Sequence, residues 1–288
     1  MTNPSNVTLS NCDREPIHQL GQIQAFGALI AVNSDWFVAH RSTNLVDIFG
    51  RGRTVEIGAS LTRLMTPGAM DLLRSAAANL AIPDQVERLF GVALFGTDDL
   101  FDCALHSSGA NTIIEIEPHA AGDLNRQLAV LRPIMARLEK HTEVESLVAE
   151  AARQLRMALQ IDRGMVYRFR DDLSGEVIAE AARDDLEKFH GLRYPRSDIP
   201  DQARALYVRN RFRIIADVEA QPVPIEPGVS IDGDPLDLSM SSLRAVSPIH
   251  IEYLKNMGVG ASLSISIIIG GKLWGLFACH HYEPRVLD

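Results

Sequence analysis

Residues 261–282 read ASLSISIIIGGKLWGLFACHHY. Two apolar runs of strand length flank Gly270-Gly271, a dipeptide suited to the tight hairpin turn whose central residues take positive φ. Alternation places Ser262, Ser264 and Ser266 on one face of the first strand and Leu263, Ile265 and Ile267 on the other. Three serines on one face want either water or a polar ligand. In simple register the turn sets Ser264 opposite Phe277 and puts His280 on the face away from the serines. The chain thus ends in an antiparallel hairpin, and the preceding segments are read against it.

Immediately upstream, SSLRAVSPIHIEYLKNMG (241–258) predicts a helix with Gly258 as its cap. Residues 221–241, QPVPIEPGVSIDGDPLDLSMS, have no period and predict a structureless loop, a length usually kept for function inside a compact domain. Before it stands RYPRSDIPDQARALYVRNRFRIIADV (193–218), in which Pro195 and Pro200 bracket Asp198. Each proline drives the residue before it, Tyr194 and Ile199, toward extended backbone, so the acid sits on a stiff non-helical corner. A helix follows, with Asp201 and Arg209 placed favourably for its dipole. GMVYRFR (164–170) and EVIAEAA (176–182) read as strands; Met165, Tyr167 and Phe169 share one face, Val166 and Arg168 the other.

The N-terminal half has a similar texture. GALIAVNSDWFVAHRS (27–42) predicts two strands joined at Asn33-Ser34-Asp35, followed by a short helical segment at 44–50. MTPGAMDLLRSAAANL (65–80) predicts a helix entered at Pro67-Gly68, with Met70, Leu72 and Leu73 as its apolar residues. Alternating strands return through 92–119. Residues 127–160 are helical in pattern, interrupted at Pro133, with a capping-box candidate at 142–145. An apolar face of Val144, Leu147, Val148, Ala151, Leu155 and Leu159 serves either core packing or dimerisation. The pattern gives an α+β chain of two domains, each a central antiparallel sheet with flanking helices: a leader at 1–20, a first domain at 21–122 and a second at 123–288.

Composition narrows the function. The 288 residues carry 28 Lys+Arg against 37 Asp+Glu, a net charge of −9, which argues against a nucleic-acid footprint. Cys12, Cys103 and Cys279 are too few and too scattered for a disulfide framework or a zinc cluster, and they fit a reducing cytoplasmic compartment. The start of the chain is polar and lacks an apolar signal region, and no window is long enough to span a membrane. The His280-His281 pair lacks a third ligand at suitable spacing, so no metal is expected.

Three segments, NCDREPIH (11–18), RYPRSDIPDQARALY (193–207) and 241–281, together resemble the photosensory core of a bacteriophytochrome, a PAS-like domain followed by a GAF-like domain. The resemblance implies a red/far-red light photoreceptor that binds biliverdin IXα, a linear tetrapyrrole, and signals through photoisomerisation that rotates ring D. It implies that Cys12 attaches the pigment; the alternative attachment position, just before the helix histidine, is Ile249 here. Cys103 and Cys279 are then small buried hydrophobes.

By the same resemblance Arg213 and Arg244 hold the pigment propionates, with hydroxyls from Tyr207, Ser247, Ser262 and Ser264. Asp198 offers its backbone carbonyl to the pyrrole N–H groups, with Ile199 and Pro200 beside it. His250 and Tyr253 lie on the helix over the rings, and His280 hydrogen-bonds the ring D carbonyl. Tyr167, Phe189 and Tyr194 wall ring D. Because the serines and His280 must all face the pigment, a bulge or irregular pairing is expected between Ser262 and His280. The leader is expected to thread the 221–241 insertion and knot the two domains at their junction.

The chain ends before the family's third sensory domain and its output module, which in full-length members is commonly a light-regulated histidine kinase, so no enzyme activity is expected of it. Full-length members are expected to dimerise through the GAF helices. Two residues depart from the family pattern: Arg196, commonly alanine, either pairs with Asp198 or points to solvent, and Phe26 stands for a histidine. Two other readings are a GAF-type site for a cyclic nucleotide without pigment, and an enzyme with Cys12 as nucleophile.

Overall fold

The computed structural model describes residues 15–50, 52–120, 122, 124–230 and 233–286. In chain order these form β1 (Gln22–Ile23), β2 (Ala28–Val32), β3 (Val38–Ser42), α1 (Leu45–Phe49), α2 (Pro67–Ala78), β4 (Glu87–Val92), β5 (Phe101–Ser108) and β6 (Asn111–Pro118). Then come α3 (Leu124–Leu138), α4 (Val144–Leu159), β7 (Arg163–Phe169), β8 (Gly175–Ala182), β9 (Arg193–Tyr194), α5 (Asp201–Arg209) and β10 (Phe212–Ile215). The chain closes with β11 (Val223–Glu226), α6 (Pro248–Asn256), β12 (Ala261–Ile269) and β13 (Lys272–His281). Residues 16–120 with 220–247 make one compact unit, and 121–219 with 248–288 the other. Each is built on an antiparallel sheet with helices, the expected α+β class.

The first unit holds a seven-stranded sheet in the order β1-β11-β3-β2-β6-β5-β4. All five residues of β2, ALIAV, are buried, which requires cover on both faces. On one face Ala28, Ile30 and Val32 meet Leu45 and Phe49 of α1 and Met70 and Leu73 of α2. On the other, Leu29 and Ala31 meet Ile225, Leu236, Leu238 and Leu243. Each such buried Leu or Ile stabilises the unit by about 1.5–3 kcal/mol.

The second face is therefore covered by the stretch predicted as a structureless loop. That expectation is corrected. Ile225 of β11 pairs with Ser42 of β3, and Ile23 of β1 pairs with Val223. The backbone of 17–24 is bonded to the same stretch: Leu238 donates to His18 O at 2.8 Å, and Ala245 to Gln22 O at 3.0 Å. Strand order alone could not place β11, because its partners lie nearly two hundred residues away in sequence.

Several local expectations are met and others corrected. Thr66 caps α2, its Oγ1 accepting from Ala69 N at 3.2 Å, and Pro67 opens the helix. Within α2, Met70 and Leu73 are buried, whereas Leu72 faces solvent. Pro133 does not interrupt the helical stretch but lies inside α3; the break comes at 139–143. The capping box at 142–145 does not form: Glu143 is the cap residue and makes no side-chain cap bond. On α4, Val148 and Ala152 are buried with Glu150 and Gln154, while Val144 and Leu147 are exposed. The helix predicted over 241–258 starts only at Pro248, where the missing N–H costs nothing.

The second unit holds a six-stranded sheet in the order β10-β12-β13-β7-β8-β9. Helix α4 lies against β7 and β8 and covers Val166 and Ala179 on one face. Helix α5 lies against β12 and β13. The hairpin turn is as read: Gly270 and Gly271 have φ of 56° and 76°.

Candidate functional site

The hairpin does not run in simple register. From the turn, Ile269 pairs with Lys272 and Ile268 with Leu273, but Ile267 then pairs with Gly275, leaving Trp274 as an extra residue. This bulge moves β13 by one position, so Ser264 faces Ala278 and Ser262 faces His280. Since paired residues share a face, the serines and His280 come to one side of the sheet. The expected irregularity is present.

The same registers extend that face across the sheet. Arg213 of β10 pairs with Ser264, and Ile215 with Ser262. On the other side Ala278 pairs with Met165, Leu276 with Tyr167 and His280 with Arg163. Met165, Tyr167, Val177 and Leu276 form a buried apolar floor, and Phe189, Tyr194, Ile199 and Tyr207 pack on it. The rings of Tyr167 and Tyr194 are 6.0 Å apart. Tyr167 lies over Gly175, where a Cβ would fall 1.7 Å from the phenol; only glycine leaves room.

The corner before α5 carries one 3-10 turn, Arg196–Asp198, rather than being wholly non-helical. Asp198 N donates to Pro195 O at 3.2 Å, and Ile199 is extended at φ −127°. Arg204, one turn into α5, fastens this corner: its Nε donates to Ile199 O and its Nη2 to Leu173 O, both at 2.6 Å. Its guanidinium also sits 4.4 Å from the Phe169 ring centre. Arg196 neither pairs with Asp198 nor points free into solvent; it makes an ion pair with Asp201 in the first turn of α5. Burial raises the Asp198 carboxyl above its usual range, a bond from Ser197 partly opposing the shift.

The electrostatics of the face are those of a desolvated site. Burial holds His250 down to about 4, with the charge of Arg213 adding to it. His280 is held at about 3 by burial first, then by Arg163 and His250. Burial lifts Tyr167 to about 12 and raises Tyr253. His250 and Tyr253 stack with ring centres 6.1 Å apart on α6. Both histidines are neutral at pH 7, and the tyrosines keep their protons.

Two buried polar atoms on this face, Tyr167 Oη and His280 Nδ1, have no hydrogen-bond partner among the described residues. Ser262 is 9% exposed, and Ser264 is half-buried. Ser266 is satisfied locally, donating to Tyr207 O at 2.6 Å. Orphaned buried donors and acceptors cost about 1–3 kcal/mol each, so this face fits a polar ligand better than a closed core.

Arg244 and Ser247 fall in the other unit, where Arg244 Nη1 donates to Ile17 O at 2.7 Å. Cys12 lies outside the described residues. Cys103 and Cys279 are buried and their thiols are pushed up to about 12, which makes them inert. Among the described residues no three His, Cys, Asp or Glu are placed to hold a metal ion, and no helix is long and apolar enough to cross a membrane.

Sequence reasoning missed Arg204 and the buried pair Arg163–Glu180. Alternation puts Arg163 on the face of Met165 and Tyr167, and an arginine there was the available signal. Nothing comparable marked Arg204, whose role depends on a carbonyl in a distant turn.

Comparisons with known proteins give the family. Residues 12–119 match the PAS fold family model, and residues 143–288 match that of the GAF domain. The chain is 42% identical over 292 residues to a bacteriophytochrome of Pseudomonas aeruginosa, covering 100% of this chain and 39% of that protein. It is 40% identical to a bacteriophytochrome of Xanthomonas campestris pv. campestris, covering 99% of this chain and 45% of the relative. Cyanobacterial phytochrome B of a Nostoc species is 39% identical, over 100% of this chain and 39% of its own length. The chain thus spans roughly two fifths of the length of these relatives. The protein belongs to the GAF-domain family and, with the PAS fold before it, is a PAS–GAF photosensory region of the phytochrome kind.

Proposed function

We propose that the chain is the pigment-binding part of a red/far-red photoreceptor and that it carries biliverdin joined to Cys12. The observation that carries the reading is the pair of orphaned buried atoms, Tyr167 Oη and His280 Nδ1, on a face that also presents Arg213, Ser262 and Ser264. When bound, biliverdin supplies the light absorption and the double-bond isomerisation that turns ring D.

The protein binds and orients. Arg213 and the hydroxyls of Ser262 and Ser264 suit the propionates, because a guanidinium fork and short hydroxyls match carboxylate oxygens. Tyr207 is assigned to the same group. Neutral His280 is free to hydrogen-bond a carbonyl through one ring nitrogen, and neutral His250 can take or share a proton without bringing a second charge beside Arg213. The Asp198 carbonyl, held between Pro195 and Pro200 on a corner backed by Arg204, would accept from the pyrrole N–H groups. Tyr167, Tyr194 and Phe189 would give ring D an apolar slot, and Ile199, Pro200 and Tyr253 would wall it.

The leader threads the 221–241 insertion, a reading supported by the bonds from Leu238 and Ala245 to residues 18 and 22. The exposed apolar side chains Leu131, Met135, Val144, Leu147 and Met157 on α3 and α4 suit a second copy of the chain, as in a light-regulated cytoplasmic histidine kinase dimer. The chain itself breaks no bonds in a substrate.

The test is co-expression with a biliverdin source. A green product that absorbs far-red light and fluoresces with zinc on a denaturing gel is expected. A colourless protein that instead binds cyclic nucleotides would overturn the reading.

A further inference from the structure

We propose that Arg163 is a positioning residue for the histidine end of the bilin site, fixing the 187–190 loop and keeping the His280 ring uncharged. The proposal rests on the reading above but is argued from the second unit alone. Arg163 is 1% exposed, an unusual place for a full charge. By strand pairing it stands directly opposite His280 on the same face.

Its burial is compensated on every side but one. Nη1 makes an ion pair with Glu180, Nη2 donates to Glu187 O at 2.6 Å, and Nη2 reaches Tyr282 Oη at 3.3 Å. The guanidinium lies 3.8 Å from the centre of the Phe189 ring. The second carboxylate oxygen of Glu180 accepts from Phe189 N and His190 N, both at 2.9 Å. The ion pair thus grips the loop twice, the arginine at a carbonyl and the glutamate at two amides. Phe189, which carries no anchoring side-chain bond of its own, is placed by this grip.

The second effect is electrostatic. Among the described residues, the charges acting on His280 are Arg163 from β7 and His250 from α6, and Arg163 is itself engaged with Glu180 of β8 and the Tyr282 hydroxyl. Asp162 is occupied by His281 and Arg183. Protonating His280 would set a second cation beside a buried guanidinium, and burial already disfavours it. The ring is therefore kept as neutral imidazole, able to both donate and accept.

The test uses the full chain without pigment, with histidine nitrogens labelled for NMR titration. In the double variant Arg163→Gln/Glu180→Gln, which removes both charges with similar shape, the protonated fraction of His280 at about pH 5 should rise roughly tenfold. In Arg163→Lys, which keeps the charge but loses the fork, His280 should stay neutral while the amides of Phe189 and His190 exchange faster. If the double variant does not fold, Arg163→Lys and Glu180→Gln each still report the loop amides. An unchanged His280 titration in the folded double variant, or unchanged loop exchange in Arg163→Lys, would overturn the proposal. Because no readout involves pigment, failure here is distinct from failure to bind biliverdin.

Discussion

Ser262 stands directly opposite His280 across β12 and β13, and it does so because Trp274 is accommodated as a bulge between them and the turn. One extra residue decides which side of the sheet the histidine occupies. Inserting one alanine after Trp274, with a single bulged residue kept, should place Ser262 opposite Cys279 and move His280 to the α4 side. The expected result is loss of biliverdin assembly, read as loss of the zinc-fluorescent band with the chain still soluble. Assembly at the normal level would show that the bulge is not what places His280.

Gly175→Ala tests the aromatic slot. A Cβ there would overlap the Tyr167 phenol, so the ring must leave its position or the strand must shift. A loss of about 1–3 kcal/mol of stability by chemical denaturation is expected, the range for overpacking a core. Tyr167→Phe in the same background should recover part of it, since the hydroxyl is among the overlapping atoms.

Arg204→Met should loosen the Asp198 corner. It removes three bonds to carbonyls, at Ile199, Leu173 and Arg196, while keeping an apolar stem beside Phe169. Stability should fall by about 1–3 kcal/mol, and the bound pigment's far-red band should broaden. By contrast Arg196→Ala removes only an exposed ion pair with Asp201, which is 66% exposed. A change under about 0.5 kcal/mol and an unaltered spectrum are expected.

The two buried histidines make a pH prediction. Their folded pKa values, about 4 for His250 and about 3 for His280, lie below the unfolded value. Below about pH 6.5 the unfolded chain therefore binds more protons than the folded one, and stability falls as the pH falls. Each histidine should account for about 1–2 kcal/mol between pH 7 and pH 5. Glu117, raised to about 7 by burial and by Glu115, works the other way over that interval. The clean measurement is thus the difference between the chain and His280→Gln, whose denaturation midpoint should depend less on pH.

Cys12→Ser tests the attachment assigned by resemblance. Pigment should still bind but should wash out under denaturing conditions, leaving no fluorescent band. A retained band would move attachment to another residue, although Cys103 and Cys279 are poor candidates as buried thiols.

Local chemistry was legible in the sequence. The Gly270-Gly271 turn, the Thr66–Pro67 helix start and the proline-bracketed Asp198 corner depend on neighbours a few residues apart, and backbone sterics fixes them wherever they occur. The face shared by Met165, Tyr167 and Phe169 followed from alternation in one strand. Where alternation met tertiary demands it failed: Leu72 and Val144 keep the apolar period of their helices but stay about half exposed.

What only the tertiary structure decided was long-range pairing. The stretch at 221–241 has no period because part of it covers the second face of β2 and another part, β11, pairs into that same sheet with strands far away in sequence. Arg163 and Glu180 could be named as ordinary strand charges, but not as a buried pair holding Phe189. The physical reason is the same in each case. Sequence period records which way a side chain points, whereas the partner that satisfies it is set by register and chain return, and a single bulged residue such as Trp274 is enough to change both.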